Sequence, residues 1–561
     1  MHINHIFLNY IMILLPLAII IAIIIAIIIA IGAIFIYYGN VNYTLENNSA
    51  GGAIIGGNER SSFEEFCYPR SYKVQEHQKF VGNYMSPDKK HNSMLVFHRI
   101  GGGKTCASIQ IGEKWLKRGK PLFIMPASLI PGFRNELRSG CAGEKYIKNA
   151  DAQKLKKNIG SLEWQAIIDA SDLKINSAYD LMSYDSFRIK WVNEVLTSKP
   201  PILIIDEVQN VTNPKGETFR CLLEFIQANP KMPVVLMTAT PIFDHPEEIM
   251  SLAKMLRADV QKDVLNFKDI QSVFAGKVSY FAGAPDYTYP KVTVEVLPLL
   301  MSKFQTKWYL SEVEAEKNKA GLIKIKEVPN SFYIKSRQRA NVVYPSGLSG
   351  AEGLQALMKK LGHGDLKKYS VKAAKLLTFL KSGQLSFVYS PFTGAGGIEF
   401  YTYILQKAGW RDFNKYGPGA KRYAVWSGDQ TLKDKNKIRE VFNSSSNDDG
   451  SKIQIVIGSP AIKEGVSLMR VRQVHILEGY WNHSRLEQIY GRAVRYCSHK
   501  SLPEADRTVN IYIYAAYTKK IPKSIKITPE VSIDAYMLKI ADEKREEAEP
   551  YVKALMDCAV D

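Results

Sequence analysis

The segment VFHRIGGGKTCAS, Val96–Ser108, divides into three parts. Met94–Phe97 reads as a buried strand and Gly101, Gly102 and Gly103 as a loop. Lys104-Thr105 opens an amphipathic helix that continues through Ile109, Ile111 and Trp115. A phosphate-binding loop needs this order. Glycines let backbone N–H groups close on phosphate oxygens, and a helix N-terminus adds positive potential. A lysine then reaches the β- and γ-phosphates, and a threonine hydroxyl can hold Mg²⁺. One position departs from GxxxxGK[ST]: His98 stands where the first glycine belongs.

Working outward, Pro201–Asn210 (PILIIDEVQN) reads as a buried strand, Ile202–Ile205, with Asp206-Glu207 at its carboxyl end, the edge where α/β sheets bind ligands. Adjacent acids there are costly unless they hold a metal. Asp206 suits Mg²⁺, and Glu207 the activation of an attacking water. Val234–Thr240 (VVLMTAT) is a third such strand. Ahead of the loop, Gln78 sits on a helical stretch, Val74–Tyr84, either as a solvated glutamine or as a partner for an adenine edge. Strands alternating with helices imply parallel sheets covered on both faces.

The same alternation restarts near Leu385. Strands are expected at Ser386–Ser390, Tyr423–Trp426, Ile453–Ile457 and Val474–Leu477, and a helix at Ser484–Arg495 (SRLEQIYGRAVR). On that helix Gln488, Arg492 and Arg495 fall at i, i+4 and i+7, with Gly491 allowing close approach. Paired guanidiniums suit triphosphate oxygens better than lysines do. Arg337 and Arg339 in YIKSRQR could contact nucleic-acid phosphates or line a solvated helix face.

The 561 residues are 46% hydrophobic and 23% charged, so the chain can bury more than one core. A net charge of +19 favours a polyanionic partner, nucleic acid before anionic membrane. The six cysteines (Cys67, Cys106, Cys141, Cys221, Cys497, Cys558) contain no CxxC pair. Their scatter argues against a zinc cluster or a disulfide framework and fits a reducing compartment. Ile11–Ile36 is apolar and uncharged. As a helix it would span roughly 39 Å, enough to cross a bilayer. It reads as a transmembrane anchor, with a cleaved leader as the alternative, and the basic residues downstream favour a cytosolic catalytic part. The expected division is an anchor at 1–38, a tether at 39–60, an α/β domain at 61–258, a linker or insertion at 259–383, a second α/β domain at 384–530 and a helix at 531–561.

The ordered set Gln78, GGGKT, DEVQ, TATP, EGVSL and QIYGRAVR resembles the superfamily 2 helicases and translocases, over nearly everything from Phe63 to Tyr514. MTATPIFDHPEEI and Trp481-Asn482 are similar to Swi/Snf-type translocases. SYFAGAPDYTYP, VFNSSSNDDG and GRAVRYCSHKSLP resemble the helicase-like ATPases of large cytoplasmic DNA viruses, the nucleoside triphosphate phosphohydrolase I and early-transcription-factor group. The resemblance implies two RecA-like domains clasping ATP and Mg²⁺. It puts Gln78 on adenine and Gly101–Gly103, Lys104 and Thr105 on phosphate and metal, with Asp206 and Glu207 beside them. Gln209, Thr238 and Thr240, together with Glu464, Gly465 and Ser467, become coupling residues. Gln488, Arg492 and Arg495 act across the cleft, Arg495 as the arginine finger. The expected activity is ATP-driven movement on nucleic acid, DNA favoured and RNA possible, with viral RNA polymerase or transcription machinery as a further partner. The alternatives are a transcription ATPase that moves on duplex DNA without unwinding it and a membrane-tethered scaffold with a vestigial ATPase.

Overall fold

The computed structural model describes residues 59–561 apart from 70–71, 158–160, 197–198, 259, 261–265, 321–331, 362–364, 382, 464–465 and 521–525. The apolar segment Ile11–Ile36 lies outside the described residues. Among the described residues no helix is long and apolar enough to cross a membrane.

Two parallel sheets carry the chain. The first contains β1 (Ser93–His98), β2 (Leu122–Met125), β3 (Asp180–Ser183), β4 (Leu203–Asp206), β5 (Val234–Thr238) and β6 (Val278–Phe281), in the order β3-β2-β4-β5-β1-β6. Every residue of β1, β2, β4 and β5 is buried. Helices cover both faces of such a sheet, so its strands read as unbroken apolar runs rather than alternating ones. The second sheet contains β7 (Lys291–Leu300), β8 (Ser386–Tyr389), β9 (Arg411–Asp412), β10 (Arg422–Trp426), β11 (Ile455–Gly458), β12 (Gln473–Ile476) and β13 (Thr508–Tyr517), in the order β7-β13-β12-β8-β11-β10-β9. The stretch 259–383, read as a linker, supplies β6 to one sheet and β7 to the other. Tandem α/β halves with parallel sheets are the architecture the motifs implied.

Five helices place the site or join the halves. Helix α1 (Glu59–Cys67) precedes the first sheet and α2 (Glu76–Tyr84) packs beside α3 (Lys104–Trp115), the helix of the glycine loop. Helix α4 (His483–Tyr490) follows β12. Helix α5 (Ile533–Met556) spans both halves: Ile533, Met537 and Ile540 pack with the second, whereas Ala554 and Leu555 enter the core of the first. Beyond α5, the Val560 amide donates to the Val278 carbonyl at 2.9 Å and Asp561 accepts from the Ser279 hydroxyl and the Tyr280 amide.

The second half is pinned by a charge in its interior. Lys372, fully buried, donates to Asp534 at 2.8 Å, to the Leu477 carbonyl at 2.7 Å and to Asn341 at 3.1 Å. Arg337 and Arg339 are buried too, which removes both sequence-level readings of YIKSRQR. Arg339 donates to the carbonyls of Gly347 and Leu348, and Arg337 lies 5.0 Å from the Phe392 ring and 5.4 Å from that of Trp481.

The cysteine reading is corrected as well. Cys67 bonds Cys497 and Cys106 bonds Cys141, across 430 and 35 residues. Partners so far apart leave no spacing signature, so counting could not find them, and the argument for a reducing compartment falls away.

Substituting Lys372→Met would leave the buried Asp534 carboxylate without its counter-charge. The expected loss is about 3–5 kcal/mol of stability, read as a lower denaturant midpoint, whereas a surface change such as Lys433→Met should leave that midpoint within error.

Candidate active site

The glycine loop forms where β1 ends and α3 begins. Gly101 and Gly103 hold φ values of 84° and 71°, a left-handed backbone that other L-residues resist. His98 is the last residue of β1, buried, with Nε2 2.9 Å from the Ser279 hydroxyl. Burial, then the nearby His77 and Lys104, push its pKa down to about 3, so it is neutral at pH 7. The histidine in place of the first glycine therefore belongs to the strand and leaves the loop's own glycines intact.

Two side chains of α2 brace the loop from outside. His77 Nε2 lies 2.8 Å from the Gly102 carbonyl, which can only accept, so that nitrogen carries the proton. Its ring stacks on Phe281 with centroids 3.6 Å apart. Gln78 donates from Nε2 to the Gly103 carbonyl at 3.2 Å, and its Oε1 accepts the Gln75 amide at 2.9 Å, capping α2. Sequence reasoning passed over His77. Its only signal was adjacency to Gln78.

At the carboxyl edge of the sheet Lys104 donates to Glu207 at 3.0 Å, both side chains largely shielded from solvent. Glu207 stands at φ 52°, with the Tyr184 hydroxyl donating to its carbonyl at 3.0 Å and to that of Asp206. From Glu207 a relay runs through β5. Gln209 Nε2 donates to Glu207 Oε2 at 2.5 Å, the Thr238 hydroxyl donates to Gln209 Oε1 at 2.6 Å, and the Thr240 amide donates to the Thr238 hydroxyl at 2.9 Å. The Thr240 hydroxyl is buried without a hydrogen-bond partner.

The two acids differ in how readily they ionise. Burial and the Glu207 carboxylate raise the Asp206 pKa to about 6. Burial opposes ionisation of Glu207 as well, but Lys104, Gln209 and Arg492 together hold its pKa below the usual range. Thr105 and Asp206 are hard oxygen donors at one sheet edge, and a divalent cation would relieve the cost of the buried Asp206 carboxylate, so this pair fits Mg²⁺.

The second half approaches through the segment after β12. Asn482 caps α4, accepting the Arg485 amide at 3.1 Å, and donates across to the Phe243 carbonyl and to Asp244 at 3.3 Å. Lys544 of α5 donates to the same Asp244 at 2.9 Å. Phe243-Asp244 lies just beyond the TATP stretch, so the second half grips the first where the relay ends.

The expected helix through Arg495 is shorter than the sequence suggested. Helix α4 stops at Tyr490 and Gly491 caps it. Arg492 and Arg495 are thus not on one helix face with Gln488. They lie in the following turns, each folded back, Arg492 Nε to the Gln488 carbonyl at 3.2 Å and Arg495 Nε to that of Gly491 at 3.1 Å. The Leu468 amide takes the Arg492 carbonyl at 2.8 Å, a tertiary bond that competes with continuing the helix. Both arginines still face the first half. The Arg492 charge reaches Glu207, and Arg495 sits by Tyr289 and Tyr496, which border Gly101. A methyl on Gly491 would come within 3.2 Å of Ile100, the close approach the glycine permits. Ser467 precedes Leu468, and its carbonyl accepts from Asn443 at 2.8 Å. Glu464 and Gly465 lie outside the described residues.

The Helicase conserved C-terminal domain family matches residues 372–497. The chain is 36% identical over 496 residues to R563 of Acanthamoeba polyphaga mimivirus, named as an inferred ATP-dependent RNA helicase, covering 83% of this chain and 86% of that one. The chain belongs to the superfamily 2 helicases. Such helicases are ATP hydrolases. The helicase is also 25% identical over 572 residues to the inferred helicase 087L of Invertebrate iridescent virus 3, covering 90% of this chain and 55% of that one. Nucleoside triphosphatase I of Heliothis armigera entomopoxvirus is 26% identical over 527 residues, covering 81% of this chain and 75% of that one.

Lys104→Ala, Arg492→Ala and Arg495→Ala should each lower ATP turnover by on the order of 10³ with unchanged circular dichroism. Turnover within a few-fold of the parent protein in any of them would remove that residue from the site. Gln209→Leu breaks the relay without touching the loop. It should retain basal turnover within about ten-fold and lose most stimulation by nucleic acid, read in the same ATPase assay with and without duplex DNA.

Proposed function

We propose that the helicase is a nucleic-acid motor that uses ATP to move along its track, with DNA favoured over RNA. The observation that carries this reading is the acid Glu207, met at once by Lys104 of the first half and by the charge of Arg492 from the second. Closing the two halves on a triphosphate brings three cations to the phosphates, Lys104 from the loop and Arg492 and Arg495 from across the cleft. Glu207, held ionised, is placed to orient and deprotonate water. Thr105 and Asp206 would hold Mg²⁺, which neutralises charge on the phosphoryl oxygens. Hydrolysis removes the group that draws the halves together, and the Glu207–Gln209–Thr238–Thr240 relay carries that change toward Phe243-Asp244 and the second half.

A second reading is translocation on duplex DNA without strand separation, as in a transcription ATPase acting with viral RNA polymerase. The Swi/Snf-like Trp481-Asn482 pair favours it, because Asn482 is one of the residues that join the halves. In both readings the apolar segment Ile11–Ile36 anchors the protein to a membrane with the catalytic halves on the cytosolic or virion-interior side, where ATP is present.

The deciding experiment compares ATPase activity of the full chain in detergent with double-stranded DNA, single-stranded DNA and RNA at one salt concentration, since phosphate contacts make affinity depend on salt. Stimulation by duplex DNA with triplex displacement but no strand displacement would select the second reading. Strand displacement would select an unwinding helicase, and absence of stimulation by all three would overturn the motor.

A further inference from the structure

Helix α1 precedes the first sheet in the chain but docks on the second half. Phe63 lies under the guanidinium of Arg507 at 3.9 Å, and Phe66 meets Tyr496 edge-on with centroids 6.1 Å apart. The Tyr68 hydroxyl donates to the Lys500 carbonyl at 2.8 Å, and Lys500 Nζ donates to the Cys67 carbonyl at 2.7 Å. Cys67 is bonded to Cys497, two residues past Arg495. Five residues further along from Cys67, Tyr72 is already on the first half. Its hydroxyl lies 3.3 Å from the sulfur of Cys106, the residue after Thr105, and its ring packs on Gly140 beside Cys141. Cys106 and Cys141 form the second disulfide.

Chain geometry turns this placement into a limit. Five residues reach at most about 18 Å when fully extended. While Cys67 is bonded to Cys497, with their Cα atoms 5.4 Å apart, the Cα of Cys497 therefore stays within about 23 Å of the Cα of Tyr72. Without the bond, the halves remain joined by the stretch 282–290 between β6 and β7, by the packing of α5 and by the Asn482 and Lys544 contacts, and α1 is held to the second half by a small aromatic cluster and two hydrogen bonds. A short tether raises the effective concentration of one half at the other.

We propose that Cys67–Cys497 is a redox-modification site that sets how far the ATP cleft opens, and hence how much ATP the enzyme turns over without nucleic acid. A dithiol reductant is the co-reactant. Its thiolate attacks one sulfur of the pair, of which Cys497 is the more accessible, and Cys67 leaves as a thiolate that takes a proton. The second thiol of the reductant then displaces Cys497, giving two protein thiols and one oxidised reductant, a two-electron exchange. The oxidised enzyme keeps its arginines near the loop and is partly active alone. The reduced enzyme depends on nucleic acid to bring the halves together.

This inference rests on the ATP-driven motor, and the test separates the two. The full chain in detergent is prepared oxidised and after dithiothreitol, its disulfides are mapped by mass spectrometry, and its basal ATPase and radius of gyration by small-angle scattering are compared. Oxidised protein should show basal turnover about ten-fold higher, a smaller factor of stimulation by duplex DNA, and a smaller radius. Cys67→Ser and Cys497→Ser should match the reduced protein and ignore dithiothreitol. Free thiols at Cys67 and Cys497 without reductant, equal or lower basal turnover in the oxidised form, or a dithiothreitol response that persists in Cys67→Ser (pointing to Cys106–Cys141) would each overturn the proposal. If neither form hydrolyses ATP, the motor reading fails. The scattering comparison then still decides the tether, because an unchanged radius overturns it and an expanded reduced form supports it.

Discussion

The Lys104–Glu207 contact depends on the register of three parallel strands. Lys104 follows β1 and Glu207 follows β4, with β5 between them, so a lysine and an acid a hundred residues apart in the chain meet at 3.0 Å only if all three strands end level. The parallel pairing achieves this, with Phe97 beside Thr238 and Asp206 beside Met237. The strand in the middle contributes as well, since its last residue, Thr238, carries the relay from Gln209 onward. A one-residue slip of β5 would turn that hydroxyl to the other face of the sheet and cut the connection.

What makes the arrangement suited to a motor is that the same edge is read from both halves. Asn482 and Lys544 hold Phe243-Asp244, while the turn after α4 brings Arg492 toward Glu207. Helix α5 ties the two cores together, one end among the apolar residues of each. Motion between the halves has to work against these contacts. Those made by Asn482 and Lys544 are polar and part-buried, and they exchange at lower cost than the fully buried Lys372–Asp534 pair in the second half. Rigid halves joined by exchangeable polar contacts match what hinge closure around a nucleotide requires.

Much of this was legible in the residues. The glycine loop, the apolar runs ending in Asp206-Glu207 and Thr238, and the second set of strands all lie within a residue or two of where periodicity put them, because a strand buried on both faces leaves an unmistakable run of branched apolar side chains. His98 was harder. Only the pairing of β1 with β6 shows that it is a strand residue bonded to Ser279 rather than a defective loop residue. Helix α4 was overextended because Arg492 and Arg495 keep a helical spacing. Gly491 and the Leu468 amide end the helix, and the second of these comes from another part of the chain.

Sequence alone determined the chemistry on offer: a loop able to wrap phosphate, two acids at a sheet edge, and arginines after a glycine. These are local properties of residue type and order, and local sterics and burial preferences suffice to read them. Tertiary structure alone decided which groups meet. The bracing of the loop by His77, the burial of Arg337 and Arg339, the passage of α5 from one core to the other and the bond between Cys67 and Cys497 depend on contacts between residues tens to hundreds of positions apart. The free energy of such contacts comes from the packing of whole elements, which no window of sequence contains.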